Sequence, residues 1–136
     1  MHERGDIKYP KRYKQLISFT GMERRRNITP TDIDGFIDYN GNAFVYLECK
    51  LKNAPFDMGQ RRAYENVCNS HKKAGNQYLV IVFEHNCPAD EIIIAKEQRV
   101  TGVYFNDEWK NINSNTTVLD AIISFEKYCE SVNVKL

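Results

Sequence analysis

The chain has 136 residues, a mass of 15.9 kDa and a formal net charge of +1, a length that predicts one domain with one hydrophobic core. Its 42% hydrophobic and 27% charged residues exclude disordered, collagen-like and coiled-coil classes. The longest apolar run, residues 78–83, is far below the roughly 20 residues of a membrane span, and residues 1–20 carry no signal-type apolar block. A soluble, intracellular (cytoplasmic) domain with no membrane partner is therefore expected.

In chain order, residues 10–19 (PKRYKQLISF) predict a short helix with Pro10 in its first turn, and Thr29-Pro30 stops any helix there. From Asp32 the pattern alternates, and Asp38-Tyr39-Asn40-Gly41 supplies turn chemistry before the β-rich stretch 43–51 (AFVYLECKL), so a β-hairpin is predicted. Asp57 suits the N-cap of a helix over 58–74, in which Gln60, Ala63, Tyr64, Val67, Cys68 and His71 fall on one stripe. Gly75 ends that helix. Residues 77–84 (QYLVIVFE) read as a strand buried on both faces. Two further short strands are predicted at 92–95 and 100–105, and an amphipathic helix at 117–132 turns Val118, Ile122, Phe125 and Cys129 inward. Together these elements predict an α/β domain whose mixed central β-sheet is flanked by helices.

The four cysteines, at 49, 68, 87 and 129, contain no CxxC pair, so ordinary reduced cysteines are expected, without a zinc or iron–sulfur site. Charge is unevenly placed. Residues 1–30 carry Arg4, Lys8, Lys11, Arg12, Lys14, Arg24, Arg25 and Arg26 against three acids, a net of +5; residues 31–136 carry a net of −4. A basic segment beside an acidic body suits a polyanion held against a site that contains carboxylates.

Along the second hairpin strand Glu48 and Lys50 share one face. A three-residue loop closed by Gly41 sets residue 38 opposite 42 and so Asp32 opposite Glu48; moving the loop to 40–42 sets Asp34 there instead. In either register carboxylates converge on one face, and like charges facing each other in a sheet need a compensating cation. Lys50 is one candidate, and an oxygen-ligated Mg²⁺ (or Mn²⁺) held by Asp32, Asp34 and Glu48 is the other. On the following helix Gln60 is placed to orient an attacking water, while Arg61 and Arg62 suit phosphate contact.

Pro30-Thr31-Asp32 followed by Glu48-Cys49-Lys50, in a strand–turn–strand–helix context, resembles the PD-(D/E)xK nuclease signature. Closer still, Thr31-Asp32-Ile33-Asp34-Gly35, Glu48-Cys49-Lys50, Gly59-Gln60 and Ala74-Gly75 before an apolar strand resemble the RecU-type Holliday junction resolvases and their shorter phage relatives, over roughly residues 29–110. The resemblance implies a restriction-endonuclease-like core and a Mg²⁺-dependent DNA endonuclease acting on branched DNA, four-way junctions above all. It makes Asp32 and Glu48 metal ligands, with Asp34 an alternative or additional one and Cys49 contributing its backbone carbonyl. Lys50 would position or activate water, and Gln60 would support it. Two symmetric cuts imply a homodimer. Lys8, Lys11, Arg12, Lys14, Arg24, Arg25, Arg26, Arg61 and Arg62 become the expected DNA contacts, and the compact form suits a phage or prophage source. Only about 30 residues precede Asp32, so the family's stalk-like insertion is expected to be absent or much reduced. Two other readings stay open. Gln60-x-x-x-Tyr64 also resembles the QxxxY element of RecB-type nucleases, which with restriction-type enzymes act on linear or single-stranded DNA; and a non-catalytic DNA-binding module would pair its carboxylates with Lys50 alone.

Overall fold

A computed structural model describes residues 16–136, which fall into two units meeting at Thr31/Asp32. The expected helix over 10–19 lies largely outside the described residues, and residues 16–19 are not helical. In the first unit the described chain turns at Thr20-Gly21 and forms one 3-10 turn, Arg25–Asn27, with all three of its residues exposed.

The second unit is a five-stranded mixed sheet with a helix on each face. Its strands are β1 (Gly35–Asp38), β2 (Ala43–Leu51), β3 (Gln77–His85), β4 (Arg99–Phe105) and β5 (Glu108–Asn111), in spatial order β1-β2-β3-β4-β5. Helix α1 (Met58–Lys73) crosses from β2 to β3, which run parallel, while every other neighbouring pair is antiparallel. A parallel pair requires such a crossover. Helix α2 (Val118–Ser131) follows β5. The expected mixed α/β architecture is what the chain adopts.

Alternation along the strands assigns the two faces. Val45, Leu79, Ile81, Phe83 and Val100 join Val118, Phe125 and Cys129 of α2 in one core, while Tyr46, Tyr78, Val80 and Tyr104 pack with Tyr64 and Cys68 of α1 in the other. β3 contributes to both, which explains its almost unbroken apolar run. Thr117 caps α2 with a reciprocal capping box to Asp120, and Gly75 leaves α1 at φ +82°, where L side chains are strained.

Two expectations need correction. Residues 92–95 form no strand: Ile92 is 83% exposed, and the segment runs into the 3-10 turn Ala95–Glu97. With β3 hydrogen-bonded to β2 on one edge and β4 on the other, these residues have no free edge of it to join. Conversely, β5 was not anticipated. It returns from β4 through Asn106-Asp107, both at positive φ (50° and 62°), the two-residue turn that matches strand twist. Among the described residues no helix is long and apolar enough to cross a membrane.

Candidate active site

The first hairpin decides which aspartate meets the site. Gly35 pairs with Leu47, Phe36 with Tyr46, Ile37 with Val45 and Asp38 with Phe44. Tyr39 N–H donates to Ala43 O (3.0 Å), so the loop is 40–42, with Asn40 and Gly41 both at positive φ and Gly41 N–H donating to Asp38 Oδ1 at 2.7 Å. Residue 38 therefore does not face 42. The register is two residues from the one that sets Asp32 against Glu48, and continuing it one step beyond β1 sets Asp34 there. The Asp38 carboxylate, by capping the Gly41 amide, holds the turn in this form.

Asp34 Oδ2 accepts the Cys49 backbone N–H at 2.8 Å, which ties the carboxylate to the strand beside Glu48. Asp32 lies two residues further out, exposed, with no hydrogen-bond or ion-pair partner among the described residues.

Glu48 is the one buried charged residue among those described, 2% exposed. Both oxygens of its carboxylate have partners, with acceptor capacity left on Oε2. Gln60 Nε2 donates to Oε1 at 2.7 Å, Tyr64 Oη donates to Oε2 at 3.3 Å, and Lys50 Nζ lies 3.5 Å from Oε1. Lys50 Nζ also donates to Gln60 Oε1 at 2.6 Å. The Gln60 amide thus bridges the two members of the Glu-x-Lys pair, each end of it matched to the charge it meets, which fixes its orientation. Helix α1 makes this possible: Gln60 and Tyr64 are four residues apart and project from one face onto β2.

Burial first, then the neighbouring Asp34 through hydrogen bonding and its charge, push the Glu48 carboxyl up to about 7 against the opposing pull of Lys50. Burial, followed by the negative charges of Glu48 and Asp34, holds the Tyr64 phenol protonated well beyond its ordinary range. Tyr64 is therefore a hydrogen-bond donor to Glu48 at any working pH. The Cys49 thiol is raised too, by burial and then by the charges of Asp34 and Glu48.

The donor chemistry decides whether a divalent ion suits this group. Among the described residues no three His, Cys, Asp or Glu side chains are gathered as a metal-binding group. Two carboxylates are what the site offers, because Asp32 stands apart. Mg²⁺ commonly takes one or two carboxylates and keeps several waters. Asp34 and Glu48 repel each other strongly enough to help raise the Glu48 pKa, a penalty that a cation between them removes. The pair fits a hard, oxygen-ligated ion.

Glu48, Lys50, Gln60 and Asp34 are thus brought together, and Asp32 is not. Lys8, Lys11, Arg12 and Lys14 lie outside the described residues, while Arg24, Arg25 and Arg26 are exposed around the 3-10 turn of the first unit. Arg61 and Arg62 stand next to Gln60 on α1; Arg62 is exposed, whereas Arg61 lies half-buried over the rings of Phe56 and Trp109. Neither aromatic was singled out from the sequence. The signal for Trp109 was the Asn106-Asp107 turn that brings β5 back beside β4. The chain matches no family model, no curated protein and no solved structure. The functional reading therefore rests on the site itself.

Proposed function

We propose that this chain is a metal-dependent DNA endonuclease of the PD-(D/E)xK type, acting on branched DNA in the manner of a Holliday junction resolvase. The observation that carries the reading is the Gln60 amide joining buried Glu48 to Lys50, with Asp34 beside them. A carboxylate buried next to a second carboxylate costs stability, and the arrangement makes chemical sense where a cation and an anionic substrate use it.

Asp34 and Glu48 would hold Mg²⁺, with Mn²⁺ as a substitute and the Cys49 carbonyl as a further oxygen donor. When bound, the ion polarises a phosphoryl oxygen and lowers the pKa of coordinated water. The chain's own residues do the rest. Lys50 places a positive charge 3.5 Å from the Glu48 carboxylate, where it orients an attacking water and stabilises its hydroxide form. Gln60 accepts a Lys50 N–H through its Oε1 and donates to Glu48 through its Nε2, and so holds the two side chains in fixed relation. Tyr64, always protonated, holds the second Glu48 oxygen in place.

A RecB-type or restriction-type nuclease of linear or single-stranded DNA is the second reading, favoured by one contact: Gln60 and Tyr64, the QxxxY pair, both donate to Glu48. Cleavage of a labelled four-way junction, run beside linear duplex and single strand of the same sequence, separates the two. Each substrate is tested with Mg²⁺, with EDTA and with Lys50→Ala protein. Paired symmetric nicks confined to the junction, lost in EDTA and in the variant, support the resolvase and the homodimer it requires. Equal cutting of linear DNA retains the nuclease and removes the junction assignment. DNA binding that is unaffected by EDTA, with no cutting of any substrate, leaves a non-catalytic module.

A further inference from the structure

Beside the Glu48–Lys50–Gln60 group stands a second cationic centre built from three different elements. The guanidinium of Arg61, on the first turn of α1, lies 5.0 Å from the ring centroid of Trp109 on β5 and 5.9 Å from that of Phe56, in the segment leading into α1. The Phe56 ring also carries Lys50 Nζ at 5.3 Å, so one aromatic ring joins the two cations. The rings brace each other: Phe56 and Trp109 meet edge to face at 5.5 Å, and Trp109 packs on Tyr104 at 4.8 Å.

The charge of Arg61 is left available by the way its neighbours are used. Glu65, four residues on along α1, is where an ion-pair partner for Arg61 belongs. Its Oε2 instead accepts the Trp109 indole N–H at 2.6 Å, and Arg61 has no carboxylate partner among the described residues. The side chain is held half-buried by two aromatic rings, while its N–H donors remain for an outside acceptor. A planar cation fixed in this way loses little freedom on binding a phosphate.

Resting on the nuclease reading, we propose that Arg61, braced by Trp109 and Phe56, is a phosphate-binding subsite for a phosphodiester neighbouring the one held at Asp34, Glu48 and Lys50. The substrate class that follows is a polynucleotide strand engaged through at least two of its phosphates. A mononucleotide or a simple phosphate diester fills only one of the two positions and is a poor ligand.

Trp109 is the chain's single tryptophan, which gives a direct optical readout. Its fluorescence is titrated with a short oligothymidylate in EDTA, where cleavage is stopped, and with thymidine monophosphate and inorganic phosphate as one-phosphate probes. Affinities of variants are read from the anisotropy of a labelled oligothymidylate at several salt concentrations. The expected result is a saturable Trp109 response to the oligonucleotide that neither one-phosphate probe reproduces or competes away. Arg61→Ala should weaken binding about tenfold and lower the slope of log affinity against log salt by about 0.7, one phosphate on a single strand. Arg61→Lys should recover the slope, since the charge returns. Lys127→Ala, on α2 across the sheet, makes the same change in net charge and should leave the slope unchanged. An Arg61→Ala slope no different from that of Lys127→Ala, with melting temperature alone reduced, would make Arg61 a packing residue and overturn the proposal. Competition by thymidine monophosphate as effective as by the oligonucleotide would overturn the two-phosphate requirement. Cleavage by the unmodified protein is followed separately. A protein that cuts DNA while Arg61→Ala leaves the slope intact refutes the subsite alone; one that fails to cut while the Arg61 effects hold refutes the nuclease reading and keeps the subsite.

Discussion

Replacing Glu48 by glutamine tests whether the site stores instability for the sake of a cation. The folded protein holds this carboxyl at about 7, against an ordinary value of 4.5. Between those two pH values the native state binds more protons than the unfolded chain. Stability therefore falls as pH rises through this window: the penalty is absent below about 4.5 and complete above about 7. At 1.36 kcal/mol for each unit, the ionisation of Glu48 costs about 3 kcal/mol at pH 8 in metal-free protein. Glutamine keeps the shape and an acceptor for Gln60, and the Tyr64 hydroxyl rotates to meet its amide. Whatever constant offset the swap introduces, the pH-dependent part is diagnostic. Relative to the natural protein, Glu48→Gln should gain about 3 kcal/mol between pH 4.5 and pH 8. His71, held low by burial, titrates with the opposite sign, but it does so in both proteins and cancels in the difference. Urea unfolding in EDTA, followed by Trp109 fluorescence, measures the difference directly. A gap between the two proteins that stays flat across this range would refute the reasoning, because Glu48 would then ionise as it does in the unfolded chain.

Saturating Mg²⁺ or Mn²⁺ at pH 8 should stabilise the natural protein by about 3 kcal/mol at a hundred times the dissociation constant and leave Glu48→Gln unmoved, as read by the same unfolding curves. Calorimetric Mn²⁺ titration should show a larger loss of affinity for Asp34→Asn than for Asp32→Asn; the reverse order would contradict the hairpin register. Lys50→Ala should lower single-turnover DNA cleavage by about 10²-fold or more with the fold retained by circular dichroism. Gln60→Ala removes a donor to the Glu48 carboxylate and should shift the pH for half-maximal Mn²⁺ binding upward. Thr117→Ala opens the capping box of α2 and should cost about 1 kcal/mol in urea unfolding, with cleavage unchanged.

Local chemistry made most of the elements legible. The β-branched and aromatic run over 43–51, the helical stripe from Gln60 to His71 and the amphipathic pattern over 117–132 each describe an element that forms where its composition indicates, and β2 has those bounds. That Glu48 and Lys50 share one face was also readable, because a strand repeat of two is set by the backbone itself, whereas Gln60 as the support of Lys50 was what the family resemblance implied. Residues 92–95 misled for the same reason: four apolar-rich residues look like a strand, but a strand exists only where a neighbour's edge is open.

Tertiary structure alone chose between the two aspartates. Both hairpin registers satisfy the alternation, since a shift of two residues returns every side chain to the same face. The choice fell to the turn, where Asp38 accepting the Gly41 amide and Asn40 entering the left-handed region place the loop at 40–42. The perturbed Glu48 likewise exists only after α1 has closed over it, because desolvation is a property of the packed site and not of the residue. Arg61 is the clearest case. In the sequence it is one arginine of a pair on a helix; its seat on Trp109, 48 positions away, depends on β5 returning beside β4 to set an indole against the first turn of α1.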